Sequence, residues 1–447
     1  MRATLRRRLA VILYVGTLAG LTLVWAVVVA ACLAPLPARL AEADAVEVRW
    51  ADGGLAHVLL APDGRWRVAI GPERVDPRYL KSLIRLEDRR FSLHPGVDPI
   101  AIARSALINL RRGRVVTGAS TLTMQLVRLL EPRPRTLGSK VVEAFRAFQL
   151  ELRLSKPGVL RQYLRFLPFG GNVEGIEAAA WAYYGHGAER LSPGEIATLL
   201  AVPQGPGSRA PSPAHRARLE AARDGIQAWL AAREVLAPGP PVPVPERLAP
   251  PPQELPHVAP WLRARRPGQA RLATSLDPRL QAEVAAALAQ GVDPLLGAGV
   301  HNAAAVVVDR RTGQVRALVG TPALDPPTPG SALPTFAVRR PLGPGLAVSA
   351  LGVAAALARS AAVSPGEALL PVEALPPLRV PPEAAPTRTY ARFATSVGGR
   401  DAWAAGVDDR YVGVVWAGNL DQHRSAALAG PVVEPALALI WAALSGR

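Results

Sequence analysis

Leu83–Arg128 reads LIRLEDRRFSLHPGVDPIAIARSALINLRRGRVVTGASTLTMQLVR, and its reading decides the first folded region. It crowds together acids, a histidine, arginines and a hydroxyl-rich turn, Gly118-Ala119-Ser120-Thr121-Leu122-Thr123, in a chain otherwise dominated by Ala, Leu, Pro and Arg. Just upstream, Asp76-Pro77 has the form of an N-cap followed by proline at the first helical position. The helix it opens carries Leu80, Leu83, Ile84 and Leu86 as an apolar stripe, which puts Glu87 and Asp88 at its end and His94 in the following turn. Pro95-Gly96 breaks the chain. Asp98-Pro99 then caps a second helix, with Ile100, Ala103, Ala106, Leu107 and Leu110 expected to face inward. A carboxylate at a helix–loop junction suits general-base work, because partial desolvation can tune it. Two solvated surface acids are the plain alternative.

Outward from this stretch, the 447 residues are enough for two or three domains. Arg2, Arg6, Arg7 and Arg8 precede the uncharged run Leu9–Ala34, which is long enough to span a bilayer as a helix. The positive-inside rule keeps the arginine end in the cytoplasm and puts everything after Pro35 outside. Val29-Ala30-Ala31-Cys32 also has the form of a lipoprotein cleavage site, which would still leave a membrane tether. Cys32 is the sole cysteine, so neither an intrachain disulfide nor a cysteine metal site is available. The net charge is +17, and lysine occurs only at Lys81, Lys140 and Lys156. Such a charge suits an anionic membrane surface, and the extracytoplasmic placement argues against nucleic acid.

Residues 35–74 alternate apolar and polar positions around Asp52-Gly53-Gly54 and Asp63-Gly64 and are expected to form a β-rich spacer. Residues 75–236 are helical in pattern, with Ser120 and Ser155 as expected caps and Ser192-Pro193-Gly194-Glu195 as a capping box. A proline-dense linker covers 237–270. Within 271–447, Asn302–Gly320 reads as two strands around Arg311-Thr312-Gly313. An apolar helix near Ala347–Ala358, a strand at Tyr411–Gly418 and a terminal helix at Pro435–Leu444 complete an α+β domain.

EDRRFSLHPGVDPIAIAR and GASTLTMQLVR resemble the first two motifs of the peptidoglycan glycosyltransferases, glycosyltransferase family 51. LEPRPRTLGSKVVEAFRAFQLELRLSK, YLRFLPFGGNVEGIEAAAWAYYG and LSPGEIATLLAVPQGP resemble later motifs in the same order, most closely those of the 1C type of class A penicillin-binding proteins. The resemblance implies a mainly α, lysozyme-like domain after one transmembrane helix. It implies lipid II and the growing glycan chain as substrates at the outer face of the cytoplasmic membrane. By the same resemblance Glu87 is the general base, and Lys140 with Glu143 assists on the pyrophosphate side. Asp88, Phe91, His94, Asp98, Arg104, Ser120, Thr121, Thr123, Gln125 and Asn172 are the substrate-side candidates, and Asp88 is also a candidate metal ligand. No cofactor is required by the sequence, although Mg2+ or Mn2+ is compatible with the family.

Plainer readings stand beside these: a surface ion pair for Lys140 and Glu143, helix capping for the hydroxyls, a structural hydrogen bond for His94 and a turn for Asn172. Ser139 and Arg165 depart from the family pattern, which expects arginine and asparagine there. Leu107, Ile108 and Leu110 beside Arg111, Arg112 and Arg114 form an amphipathic basic segment expected to touch lipid headgroups.

In class A penicillin-binding proteins a serine transpeptidase follows, and its chemistry needs a serine with a lysine three residues later, then a Lys-Thr-Gly strand. No lysine follows Lys156. Pro344–Ser349 places Leu346 at the nucleophile and Ser349 at the lysine, while Arg392 replaces the lysine of the strand motif. A second register, Pro329–Pro334, puts Pro334 at the lysine. The expectation is therefore a truncated, degenerate penicillin-binding/transpeptidase-like α+β domain, available to bind cell-wall synthesis proteins. A non-catalytic scaffold and a lysozyme-like glycan hydrolase are the competing functions.

Overall fold

The computed structural model describes residues 2–114, 118–240, 242–296, 298–320, 390–395, 399–407, 410–419, 423–429 and 432–445. The chain divides into two compact units, residues 1–46 with 60–251 and residues 47–59 with 252–447. The 35–74 stretch read as one spacer is thus shared between them.

The first unit begins with α1 (Arg2–Leu33), whose span is long and apolar enough to cross a membrane and has little of its surface covered by protein. Its end is held by α5 (Leu137–Arg153): Arg146 donates to Pro35 O at 2.7 Å, Gln149 to Ala34 O at 2.7 Å, and Arg153 to Cys32 O. These side chains meet carbonyls at and just past the helix terminus, which have no partner within it. A short parallel pair, β3 (Trp66–Arg67) and β4 (Val173–Glu174), lies beside the helices. The fully buried Arg67 there pairs with Glu174 at 2.7 Å.

α2 (Pro77–Glu87) starts as the Asp-Pro signal predicts, the Asp76 carboxylate accepting from Arg78 N at 2.8 Å. Its buried residues are Tyr79, Ser82 and Leu83, so the core stripe is narrower than the apolar spacing suggested. α3 (Pro99–Arg112) is capped by Asp98, but its apolar residues do not face inward. Ser105 alone is buried; Ile100, Leu107 and Leu110 are 53%, 48% and 81% exposed, and Ala103 and Ala106 are exposed too. Ile100, Ala103, Leu107 and Leu110 share one side of this helix, which protein leaves uncovered, and the packed side is the one whose Ser105 Oγ donates to Gly118 O.

α4 (Leu122–Leu130) is capped by Thr121 rather than Ser120, Thr121 Oγ1 accepting from Met124 N at 3.1 Å. α6 (Lys156–Phe166) is capped by Ser155 as expected. α7 (Ile176–Tyr184), α8 (Pro193–Ala201), the single turn α9 (Pro206–Arg209) and α10 (Arg216–Ala231) complete the unit. α8 carries the full capping box between Ser192 and Glu195. The proline-rich stretch docks on this unit in part: Arg223 Nη1 donates to Val242 O, and a side chain at Gly194 would collide with Val242.

In the second unit β1 (Val46–Arg49) is central in a three-stranded sheet with β2 (Leu55–Leu59) and β5 (Arg271–Ala273). α11 (Val258–Arg265) interrupts the predicted linker. A five-stranded antiparallel sheet follows, in the order β7 (Val315–Val319), β6 (Asn302–Asp309), β10 (Tyr411–Gly418), β9 (Asp401–Val407), β8 (Tyr390–Thr395). α12 (Pro278–Leu296) and α13 (Glu434–Ser445) share one apolar core with it. Gly413 is required there because a Cβ would lie 2.3 Å from the buried Trp441 ring. Leu346, Ser349 and the expected helix at 347–358 lie outside the described residues; Arg392 falls within β8.

Candidate active site

Glu87 is the last residue of α2, where the helix runs out before Asp88, and both of its oxygens receive amide donors. Gln125 Nε2 of α4 donates to Oε2 at 3.0 Å, and Gln204 Nε2 donates to Oε1 at 3.0 Å. Each amide is itself oriented by a donor to its carbonyl, Tyr163 Oη to Gln125 Oε1 at 3.0 Å and Arg209 Nη1 to Gln204 Oε1 at 3.0 Å. Burial, with the Glu87 charge adding to it, pushes the Tyr163 hydroxyl well above its ordinary pKa, so it remains a donor. Glu87 is thus a half-buried carboxylate held in one rotamer by two fixed amides.

One turn along the same face of α4, Arg128 reaches the second group. Its Nε and Nη2 lie 3.2 and 3.3 Å from Glu143, and Lys140 Nζ lies 2.6 Å from Glu143 Oε2. Lys140 Nζ also donates to Ser120 Oγ at 3.3 Å. Burial of Glu143 favours its neutral form, but the hydrogen bonds from Arg128 and Lys140 outweigh this and hold its pKa below the ordinary value. The Lys140 side chain remains 42% exposed. The result is an accessible cation steadied by a buried carboxylate.

Asp88 is turned into the structure. His94 Nε2 lies 3.1 Å from both of its oxygens, and Leu122 N donates to Oδ2 at 2.9 Å, so Asp88 joins the end of α2 to the start of α4. Among the described residues no group of three or more His, Cys, Asp or Glu side chains converges to hold a metal. Phe91 is buried, with Lys156 Nζ 4.4 Å from its ring centroid. Asp98 caps α3 and pairs with Arg90 at 3.3 Å. Thr121 donates to Gly96 O at 2.6 Å, and Thr123 donates to Glu151 Oε1 at 2.6 Å. Asn172 donates to Gly64 O in a turn, and Arg104 is exposed on α3.

The structure therefore gathers Glu87 with Gln125, and Lys140 with Glu143 and Ser120. Asp88, Phe91, His94, Asp98 and Thr121 brace the segment between α2 and α4, whereas Arg104, Thr123 and Asn172 join neither group. Arg128, Tyr163, Gln204 and Arg209 were not singled out from sequence, since nothing local marks a residue whose partner is far along the chain. Of the two departures from the family pattern, Ser139 sits in the capped first turn of α5 next to Lys140, and Arg165 binds Asp44 at 2.8 Å.

Residues 55–231 match the family model described as Transglycosylase. Penicillin-binding protein 1C of Escherichia coli strain K12 is 41% identical over 267 residues, covering 58% of this chain and 34% of that protein. Penicillin-binding protein 1A of Aquifex aeolicus strain VF5 is 38% identical over 141 residues, 31% of this chain and 19% of its own length. Penicillin-binding protein 1A of Escherichia coli K12 is 37% identical over 142 residues, covering 31% and 17%. Each match spans about a third or less of the relative's length.

Proposed function

We propose, from the transglycosylase-family domain that residues 55–231 form, that this chain is a peptidoglycan glycosyltransferase that polymerises lipid II at the outer face of the cytoplasmic membrane. The observation that carries the reading is the single face of α4. Gln125 holds Glu87 and Arg128, three residues on, holds Glu143 with Lys140, which sets a carboxylate base and a cation cluster about 5–6 Å apart at their supports. Glycosyl transfer from a pyrophosphate donor needs those two groups on either side of the reacting carbon.

In the proposed step Glu87 takes the proton of the acceptor sugar's 4-hydroxyl as that oxygen bonds to the donor's anomeric carbon. The bond from that carbon to the pyrophosphate breaks, and its electron pair leaves with the pyrophosphate, whose charge Lys140 and Arg128 offset. Glu143 keeps the two cations together; Ser120 adds a hydroxyl. Asp88, bonded to His94 and Leu122 N, joins α2 to α4 beneath these groups. The exposed apolar residues of α3 followed by Arg111 and Arg112 support contact with lipid headgroups. The proposal includes loss of transpeptidation, supported by the absence of lysine after Lys156.

The test is turnover of labelled lipid II by the detergent-solubilised chain with Glu87→Gln beside it. Polymer from the parent and none from the folded variant supports the reading. Polymer from neither, with or without divalent cation, favours the scaffold. Glycan release from purified sacculi points to a hydrolase. Covalent labelling of the chain by fluorescent penicillin overturns the claim about transpeptidation.

A further inference from the structure

Away from Glu87, we infer that a basic pocket between α2 and the end of α10 binds a multiply charged oxyanion of the phosphate class. The cavity, about 420 Å³, is lined by Lys81, Ile84, Arg85 and Arg89 on one side and by Arg233, Glu234 and Val235 on the other. Lys81 and Arg85 are one turn apart on α2, with Arg89 just past its end, and Glu87 projects from a different side of the helix.

Lys81, Arg85 and Arg89 make no hydrogen bond or ion pair with any described residue. Elsewhere in this unit Arg39, Arg67, Arg74, Arg78, Arg128 and Arg165 each meet a carboxylate; Arg104, Arg190 and Arg218 do not, but only Lys81, Arg85 and Arg89 converge on one cavity. The C-terminal dipoles of α2 and α10 favour cations nearby, yet give these donors no acceptor at bonding distance. Like charges a turn apart also repel.

Arg233 is already oriented, stacked 4.2 Å from the Trp229 ring centroid and donating Nη1 to Trp229 O at 3.2 Å. Beside it Glu234 has φ +54, the one non-glycine positive φ among the described residues. A glycine would take that conformation without strain. The backbone instead places an acid at the rim, paired with none of the four cations, so the pocket keeps a positive excess. Three guanidinium forks and an ammonium suit phosphate oxygens, and exceed what one carboxylate would balance.

Two sources share this chemistry, free inorganic phosphates and the headgroup of an anionic phospholipid. The full-length chain in detergent is titrated with inorganic pyrophosphate by calorimetry, and with phosphatidylglycerol against phosphatidylcholine by native mass spectrometry. Lys81→Gln/Arg233→Gln removes two exposed cations, and Arg190→Gln/Arg218→Gln removes the same charge elsewhere. Saturable one-to-one binding is expected in the parent. It weakens roughly tenfold or more in the first variant and is unchanged in the second. Pyrophosphate binding identifies a soluble phosphate compound, and binding of phosphatidylglycerol alone identifies a lipid headgroup. No binding of either ligand, or equal loss in both variants, overturns the proposal. The site does not rest on the polymerase reading: Lys140→Gln must keep the one-to-one binding of the parent, and loss there would mean the anion sits beside Lys140 and Arg128 instead.

Discussion

Replacing Gln204 by leucine removes one of the two amides that fix Glu87 while keeping side-chain size. The bond lost, 3.0 Å to Glu87 Oε1, is to a charged acceptor. Such bonds contribute about 1.5–3 kcal/mol when buried. Gln204 is exposed and Glu87 half-buried, so the contribution falls below that range, at about 1 kcal/mol or roughly fivefold in rate. The remaining Gln125 still holds the other oxygen, and Gln204 touches no group assigned to the pyrophosphate. The loss should therefore fall on kcat, with KM for lipid II little changed. Gln204→Glu should cost more than Gln204→Leu, because it sets a second carboxylate against Glu87. Steady-state polymerisation of lipid II measures both. A Gln204→Leu enzyme with parental kcat, or one impaired only in KM, would refute the idea that this amide positions the base.

Asp88→Asn weakens the link between the end of α2 and the start of α4, a buried contact to His94 and Leu122 N. It should lower thermal stability by about 1–3 kcal/mol without changing the response to divalent cations; an unchanged melting curve would contradict this. Glu143→Gln leaves Arg128 and Lys140 facing a neutral group, and it bears on pH. Because the folded-state pKa of Glu143 is depressed, its stabilisation is present above the ordinary glutamate value of about 4.3 and disappears as pH falls through the folded one. Parent and variant should hence differ in Tm at neutral pH and converge in acid; a gap that widens in acid would reverse the sign. Gly413→Ala forces a Cβ toward Trp441 and should destabilise the second unit by about 1–3 kcal/mol, read by denaturant unfolding followed at tryptophan.

Much of the first unit could be read directly because its signals are local. Asp76-Pro77, Asp98-Pro99, Ser155 and the Ser192/Glu195 box each satisfy amides within a few residues, and each begins a helix where expected. The inward face of α3 could not be read this way. Apolar spacing states that a helix has a greasy side, not that protein covers it, and Leu110 at 81% exposed is the result. The choice of Thr121 over Ser120 as cap turns on one residue of register. The Glu87 cradle was half legible: Gln125 came from the motif, whereas Gln204 enters from 117 positions along the chain. The split of the β-rich stretch was invisible because β1 finds its parallel partner in residues 271–273.

α5 joins two features that sequence reading kept apart. Its first turns carry Lys140 and Glu143, and its later turns carry Arg146, Gln149 and Arg153, which take up carbonyls at the end of α1. If those bonds only tidied a helix end, water could replace them at little cost. Three side chains from one helix instead tie the apolar span to the element that bears the cation cluster. Under the proposed chemistry the leaving pyrophosphate stays attached to a lipid, so its height above the bilayer is fixed by the membrane. A cation meant to meet it gains from being fixed to the same reference, and a rigid helix running from anchor to cluster supplies that without any contact to substrate. Loosening the join with Arg146→Ala/Gln149→Ala should accordingly raise KM for lipid II while leaving the Glu87 groups intact. A variant with parental KM would show that the join serves stability alone.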